Sequence, residues 1–225
     1  MLRPLLFLLT LLPCSAFAQF GVSYQYQIHQ TDDWNSVVSD FLGVNDADFL
    51  TFGHRIEVDY WFKALPDYRL EMMPALTYSR ATYTNSSTDW QLTTIGLQLN
   101  TNLYPFDLEG DCDCPVWSKS EPVFKKGFFV QLSPGVRNVG TSRTVREDSG
   151  GQVVGSANAL VPFLGLGAGM DIGFSDLITV SPLVRYVRAF STEWPELVDS
   201  PGSLPYAGDL STWEFGVRLG IRLDQ

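Results

Sequence analysis

Few side chains in this chain are equipped for chemistry, and they fall into three groups. The first is Asp111-Cys112-Asp113-Cys114-Pro115, two thiols interleaved with carboxylates. Thiolates in such a run would suit a soft metal, but zinc takes four strong ligands and two are visible. Cysteines two apart reach bonding distance only with unusual backbone geometry. A local disulfide between Cys112 and Cys114, or a pair of structural thiols, therefore outweighs a metal, and no cofactor is expected. The second group is the two histidines, His29 and His54. A lipid hydrolase or acyltransferase would need one of them within hydrogen-bond reach of a nucleophile. Ile56, not a serine, stands two residues beyond His54, whose cross-strand neighbours are expected to be apolar or Tyr78. His54 reads as an interfacial histidine, and no catalysis is expected.

The third group is the largest. Seven bases (Arg55, Lys63, Arg69, Arg137, Arg185, Arg218 and Arg222) and five acids (Glu57, Asp59, Glu71, Asp171 and Glu214) share one phase of an alternating pattern. All but Arg55, which follows His54, and Arg137, which precedes Asn138, have apolar residues on both sides. From Trp213 the sequence reads Trp213, Phe215, Val217, Leu219, Ile221, Leu223 on one face, with Glu214, Gly216, Arg218, Gly220 and Arg222 on the other. A period of two is a strand with unlike faces. The uncharged face is long enough to cross a bilayer in a tilted strand of roughly 10 residues.

Seven further stretches repeat the pattern, near 20–29, 52–63, 68–79, 91–103, 127–138, 158–173 and 177–188. In the fourth, Trp90 and Leu92 break phase with Ile95 and Leu97, which predicts a bulge near Thr93. Short connections at 64–67 and 174–176 alternate with longer ones at 30–51, 80–90, 139–157 and 189–211; 104–126 is a long exception on the short side. Aromatic residues gather at both ends of the outward faces: Phe20, Phe62, Tyr68, Phe128 and Phe174 at one level, Phe52, Tyr78, Tyr186 and Trp213 at the other. Two such levels are what two membrane interfaces select. Pro74, Pro134, Pro162 and Pro182 fall inside strands, where each must leave a ladder gap or a bulge.

The N-terminal 18 residues carry one arginine, an apolar run from Leu5 to Leu12 and the end Ala16-Phe17-Ala18, the form of a cleavable secretory signal. Residues 19–225 are then one domain, in an oxidising compartment that keeps Cys112 and Cys114. Without Arg3 the balance is 14 bases to 25 acids, a net charge near −11, which argues against nucleic acid as a partner. The acids concentrate in the long loops, with Asp32, Asp33, Asp40, Asp46 and Asp48 unaccompanied by Lys or Arg in 30–51. Arg80 and Arg188, outward at the rim, suit anionic headgroups.

These features together, with FGHRIEVDYWFK, WEFGVRLGIRL and the paired segments SPGVR at 133–137 and SPLVR at 181–185, resemble the small outer-membrane β-barrels of the OmpA-barrel and OmpX type. The likeness is nearest to the PorT-like outer-membrane barrel domain of Bacteroidota and covers roughly residues 20–225. One departure is the ending Leu223-Asp224-Gln225, where many such barrels end on an aromatic. The expectation is an all-β, eight-stranded antiparallel transmembrane barrel in the outer membrane of a Gram-negative bacterium, with both termini periplasmic. Its charged interior would be a paired plug rather than a pore. The barrel would be monomeric, in contact with outer-membrane lipid, with a structural or interaction role. By resemblance, that role extends to envelope or secretion partners. The rival expectations are a lipid-modifying enzyme working through His54 or His29, and a secreted soluble barrel with the charged face in water.

Overall fold

The computed structural model describes residues 19–32, 34–36, 39, 49–63, 65, 68–85, 88–108, 127–147, 150–175, 177–194 and 206–222; of 146, 147, 150–154, 193, 194, 206, 207 and 222 it describes the backbone only. The signal segment 1–18 and the Cys112–Cys114 pair lie outside these residues, as does the side chain of Arg222.

Nine strands form one antiparallel sheet: β1 (Gln19–Gln30), β2 (Phe52–Lys63), β3 (Leu70–Thr84), β4 (Thr88–Leu103), β5 (Phe128–Glu147), β6 (Gly150–Met170), β7 (Ile172–Gly173), β8 (Ile178–Trp194) and β9 (Tyr206–Arg222). Neighbours in sequence pair with each other, β1 pairs with β9, and β6 pairs with β8. The two-residue β7 carries β6 past Asp171 in the same register against β8, so the wall has eight staves and is shut. A closed sheet satisfies every strand edge internally, which is the condition for crossing lipid with strands.

The alternation places the charged phase inside. In β2, Gly53, Arg55, Glu57 and Asp59 are buried while Phe52, Ile56 and Val58 are exposed. The same holds along β1, β3 and the spanning part of β9. Leu97 is 62% exposed, Leu76 55% and Tyr24 55%, against 3% for Arg55 and 0% for Glu214. A continuous apolar belt of this extent exceeds what monomers show to water, and its solvent is hydrocarbon. Rings mark both edges of the belt. Phe20 packs on Tyr60 at 5.5 Å and Phe106 on Phe128 at 5.7 Å on the turn side; Tyr186 packs on Trp213 at 5.0 Å and Tyr26 on Phe52 at 5.8 Å on the loop side.

The four prolines act as their chemistry requires. The β2–β3 ladder is interrupted between Asp59↔Ala75 and Phe62↔Met72, beside Pro74. The β4–β5 ladder is interrupted between Gln98↔Gly135 and Thr101↔Leu132, beside Pro134. Opposite Pro182 the closing ladder stops at Gly169↔Leu183 and resumes at Ile172↔Val180; next to Pro162 it ends at Phe163↔Ala189. Each proline keeps its pairing on one side, as with Pro74↔Leu99 and Pro182↔Val217. An N–H and C=O of one residue point to the same neighbour in an antiparallel sheet, so a missing donor weakens one ladder alone.

Two expectations are corrected. There is no bulge near Thr93: β4 keeps one register with β3 from Leu103 to Asp89 and steps evenly against β5. Trp90 and Leu92 are inward and fully buried, so the face itself changes from polar to apolar toward the loop side. The bulges lie elsewhere, at Arg143/Thr144 in β5–β6 and Ala189/Thr192 in β8–β9, where Ser191 has φ 54. Secondly, 139–157, 80–90 and part of 189–211 are not open loops. The strands run on past the belt, and β5 and β6 meet across two residues after Glu147↔Gly150. Both faces of these extensions carry polar residues, so the alternation that marks the spanning part gives no signal there.

Candidate functional site

The interior is stacked in three layers. At mid-height four charged side chains from three strands, β2, β8 and β9, form a closed square. Arg185 of β8 donates from Nε to Glu214 Oε2 at 2.7 Å and from Nη2 to Glu57 Oε2 at 3.2 Å. Arg55 of β2 donates from Nη1 to Glu214 Oε1 at 2.9 Å and lies 3.5 Å from Glu57. Amides add further bonds. Gln27 donates to Glu214 at 2.8 Å and Gln98 to Glu57 at 2.9 Å, Gln25 accepts from Arg185 at 2.9 Å, and Gln98 Oε1 accepts from Arg55. All are buried. Ions taken from water are tolerated when each is paired and hydrogen-bonded, and this square meets that condition at every carboxylate oxygen.

Toward the turn side, Arg218 grips Asp59 with two parallel bonds, Nε to Oδ2 at 2.8 Å and Nη2 to Oδ1 at 2.6 Å. Gly21 makes room for that fork: a Cβ there would stand 2.5 Å from Arg218 Nε and from Asp59 Oδ2. Below it, the Tyr104 hydroxyl lies 2.7 Å from Glu71 Oε2 and 2.5 Å from Asp171 Oδ2, with the Arg69 guanidinium 3.8 Å above the phenol ring. One phenolic proton serves one carboxylate at a time, so Tyr104 stands between two acceptors with a single donor. Arg69 also donates to Asp107 at 2.6 Å. A cavity of about 30 Å³ opens here between Arg69, Glu71, Asn102, Gln131, Asp171 and Arg218, room for about one water.

The third layer is apolar. Trp34, Phe49, Leu50, Ala81, Trp90, Leu92, Val139, Val161, Phe163, Val187, Ala189 and Leu210 form one buried cluster at the loop end of the lumen. Trp34, Phe49 and Leu50, described residues of the first loop, turn inward. Thr31 Oγ1 donates to the Phe49 carbonyl at 2.7 Å, and Asn35 Oδ1 accepts the Phe49 N–H at 3.0 Å. The expectation that 30–51 is a solvated acidic loop is corrected to that extent, because a segment supplying two fully buried apolar residues is a lid.

Of the charges expected inside, Arg55, Glu57, Arg185 and Glu214 meet in the square, Asp59 and Arg218 in the fork, and Arg69, Glu71 and Asp171 around Tyr104. Arg137 is buried at 3% exposure but joins none of these sets. Sequence reading placed Gln98 and Asn100 inward, without their partners, and missed Tyr104 and the inward Arg143. It also missed the lid, although Trp90 and Leu92 had shown the inward phase turning apolar.

His29 is inward, its Nδ1 2.9 Å from Thr212 Oγ1. His54 is outward, its Nδ1 2.7 Å from the Tyr24 hydroxyl and its ring stacked on Tyr24 at 5.9 Å. Beyond the belt, Arg188 donates twice to Asp209 Oδ2, at 3.0 and 2.7 Å, and the Ser191 N–H meets Oδ1 at 3.2 Å. Those bonds, the guanidinium's first, hold the Asp209 carboxyl below its ordinary range.

No family model matches the chain, and no curated protein matches it. Among solved structures it is similar to Ail of Yersinia pestis in complex with the heparin analogue sucrose octasulfate (10% identity, 91% of this chain and 98% of that one, TM-score 0.47). It is also similar to Neisserial surface protein A (15%, 93% and 98%, TM-score 0.43) and to the outer membrane protease OmpT of Escherichia coli (6%, 92% and 97%, TM-score 0.44). At these identities and scores none of them bears on the function of this chain or on any of its residues.

Proposed function

We propose that this chain is an integral barrel of a Gram-negative outer membrane that acts as a structural or interaction protein, neither a pore nor an enzyme. The observation that carries the reading is the filled interior: a charged square with every carboxylate oxygen bonded, closed on the loop side by a buried apolar lid. Ions have no continuous water path through such a lumen, and the extensions of β5–β6 and β8–β9 beyond the belt are the surfaces left to meet other molecules. In this reading both strand termini at the turn end face the periplasm, the barrel is a monomer in outer-membrane lipid, and its partners are envelope or secretion proteins. A PorT-like role belongs to the same reading.

Two measurements test it. Protein reconstituted in planar bilayers should give no steps of conductance; steady single-channel openings would overturn the plug. Cross-linking from cysteines placed at Thr82 and Ser142, on the extensions, should trap a discrete envelope protein in cells, whereas labelling of lipid alone would remove the interaction role. The rival enzyme reading rests on the histidines. The hydroxyl against His54 belongs to Tyr24, on a belt face open to lipid. Replacing His29 and His54 together should leave membrane lipid composition unchanged, and a lost lipid species would restore the enzyme reading.

A further inference from the structure

Arg137 lies outside the square, the Arg218–Asp59 fork and the set around Tyr104. It is 3% exposed, and neither its Nε nor its Nη2 has a hydrogen-bond partner. The contact it makes is with the Phe163 ring, whose centroid is 5.5 Å from its Cζ. Arg55 approaches the same ring at 6.0 Å, and its Nε is likewise without a partner. A guanidinium does not shed its proton in a protein, so the charge must be met where it lies.

The neighbouring carboxylates are already committed. Glu57 and Glu214 each face both Arg55 and Arg185. Asp59 is held by both nitrogens of Arg218, and Glu71 and Asp171 are gathered around Tyr104 further toward the turn side. Around the square, three guanidiniums therefore stand over two carboxylates, an excess of one positive charge. Val139 and Phe163, both members of the apolar cluster, flank Arg137 along the wall, and the Phe163 ring lies against both Arg137 and Arg55. Water could solvate the free N–H groups but would leave the charge unbalanced in a medium of low dielectric. A single negative charge would do both.

We propose that the lumen holds a small inorganic monoanion of the halide class, bound by the free N–H groups of Arg137 and Arg55 beneath the apolar lid. The charge deficit of one favours a monoanion over a phosphate dianion. The enclosure of both side chains, each 3% exposed, favours a compact one. Such an ion would make the interior neutral at mid-height and would link β2 and β5, which are not neighbours in the wall.

The full chain folded in detergent can be crystallised in sodium bromide and measured at the bromine edge. An anomalous peak within hydrogen-bond distance of Arg137 and Arg55 is expected; none at that place overturns the site. In solution, the midpoint of urea unfolding is followed as chloride replaces gluconate at constant ionic strength. The folding constant of the wild type should rise up to tenfold for each tenfold rise in chloride above saturation, as one bound ligand requires. The Arg137→Met variant should be flat and Arg137→Lys should retain a weaker rise. A wild type indifferent to chloride, or an Arg137→Met variant that responds equally, overturns the proposal. Should Arg137→Met fail to fold, the bromide map of the wild type decides.

Discussion

Glu214 joins both arginines of the square. It accepts from Arg55, Arg185 and Gln27 with no exposure to solvent. Removing one partner of a buried pair leaves the others uncompensated, at a cost of roughly 3–5 kcal/mol. Glu214→Gln should therefore lower the unfolding free energy of the folded barrel by about that amount, read from urea titration of tryptophan fluorescence in detergent. A loss under about 1 kcal/mol, the worth of an exposed pair, would mean that the square is wet. Asp209 offers the contrast, because it lies outside the belt and in water. Its carboxyl is stabilised in the charged form, so its folded pKa is below its unfolded one. That contribution is present above the unfolded value, about 3.9, and disappears as pH falls through the folded one. A side-chain NMR titration should place Asp209 below the usual range in the wild type and return it toward about 3.9 in Arg188→Gln.

At the scale of elements, the weakest part of the wall is where it closes. The β6–β8 ladder pairs Phe163 to Gly169 with Leu183 to Ala189, is broken opposite Pro182 and stops beside Pro162. The β3–β4 ladder runs without interruption from Leu70↔Leu103 to Thr84↔Asp89. Fewer cooperative bonds mean opening at lower free energy. Amides of the β6–β8 seam should exchange with deuterium before those of β3–β4, measured on the barrel in micelles, and equal protection at the two seams would show that the prolines cost nothing. The strands were legible in the sequence wherever one face was uncharged, because hydrocarbon imposes a strict period of two. They were not legible beyond the belt. In Thr141, Ser142, Arg143 and Thr144 both faces are polar, and nothing in the order of residues separates a hairpin in water from a loop.

For the whole molecule, the decisive question is which face of the wall meets lipid. Leu97 sits outward in the middle of β4, 62% exposed. Arginine at a lipid-facing position near the midplane costs about 2–4 kcal/mol. Leu97→Arg should destabilise the barrel in bilayers by that amount while leaving the same exchange at Thr82, outside the belt, nearly neutral. Equal, small effects at both positions would place water, not lipid, around the wall.

The sequence by itself determined the staves, their inside and outside, the aromatic edges and the positions where prolines must open a ladder. Each of these follows from a two-residue period and from the chemistry of one residue at a time. It also determined that Arg55, Glu57, Arg185 and Glu214 share an interior. It did not determine which acid meets which base, since those residues lie as far apart as 159 positions and meet only when the register of every intervening ladder is set. Nor did it disclose the lid, whose members come from the first loop and six strands. Tertiary structure alone decided that Arg137 would be enclosed with its Nε and Nη2 unmet among the described residues, because pairing in a lumen is settled by reach and layer and not by the count of charges.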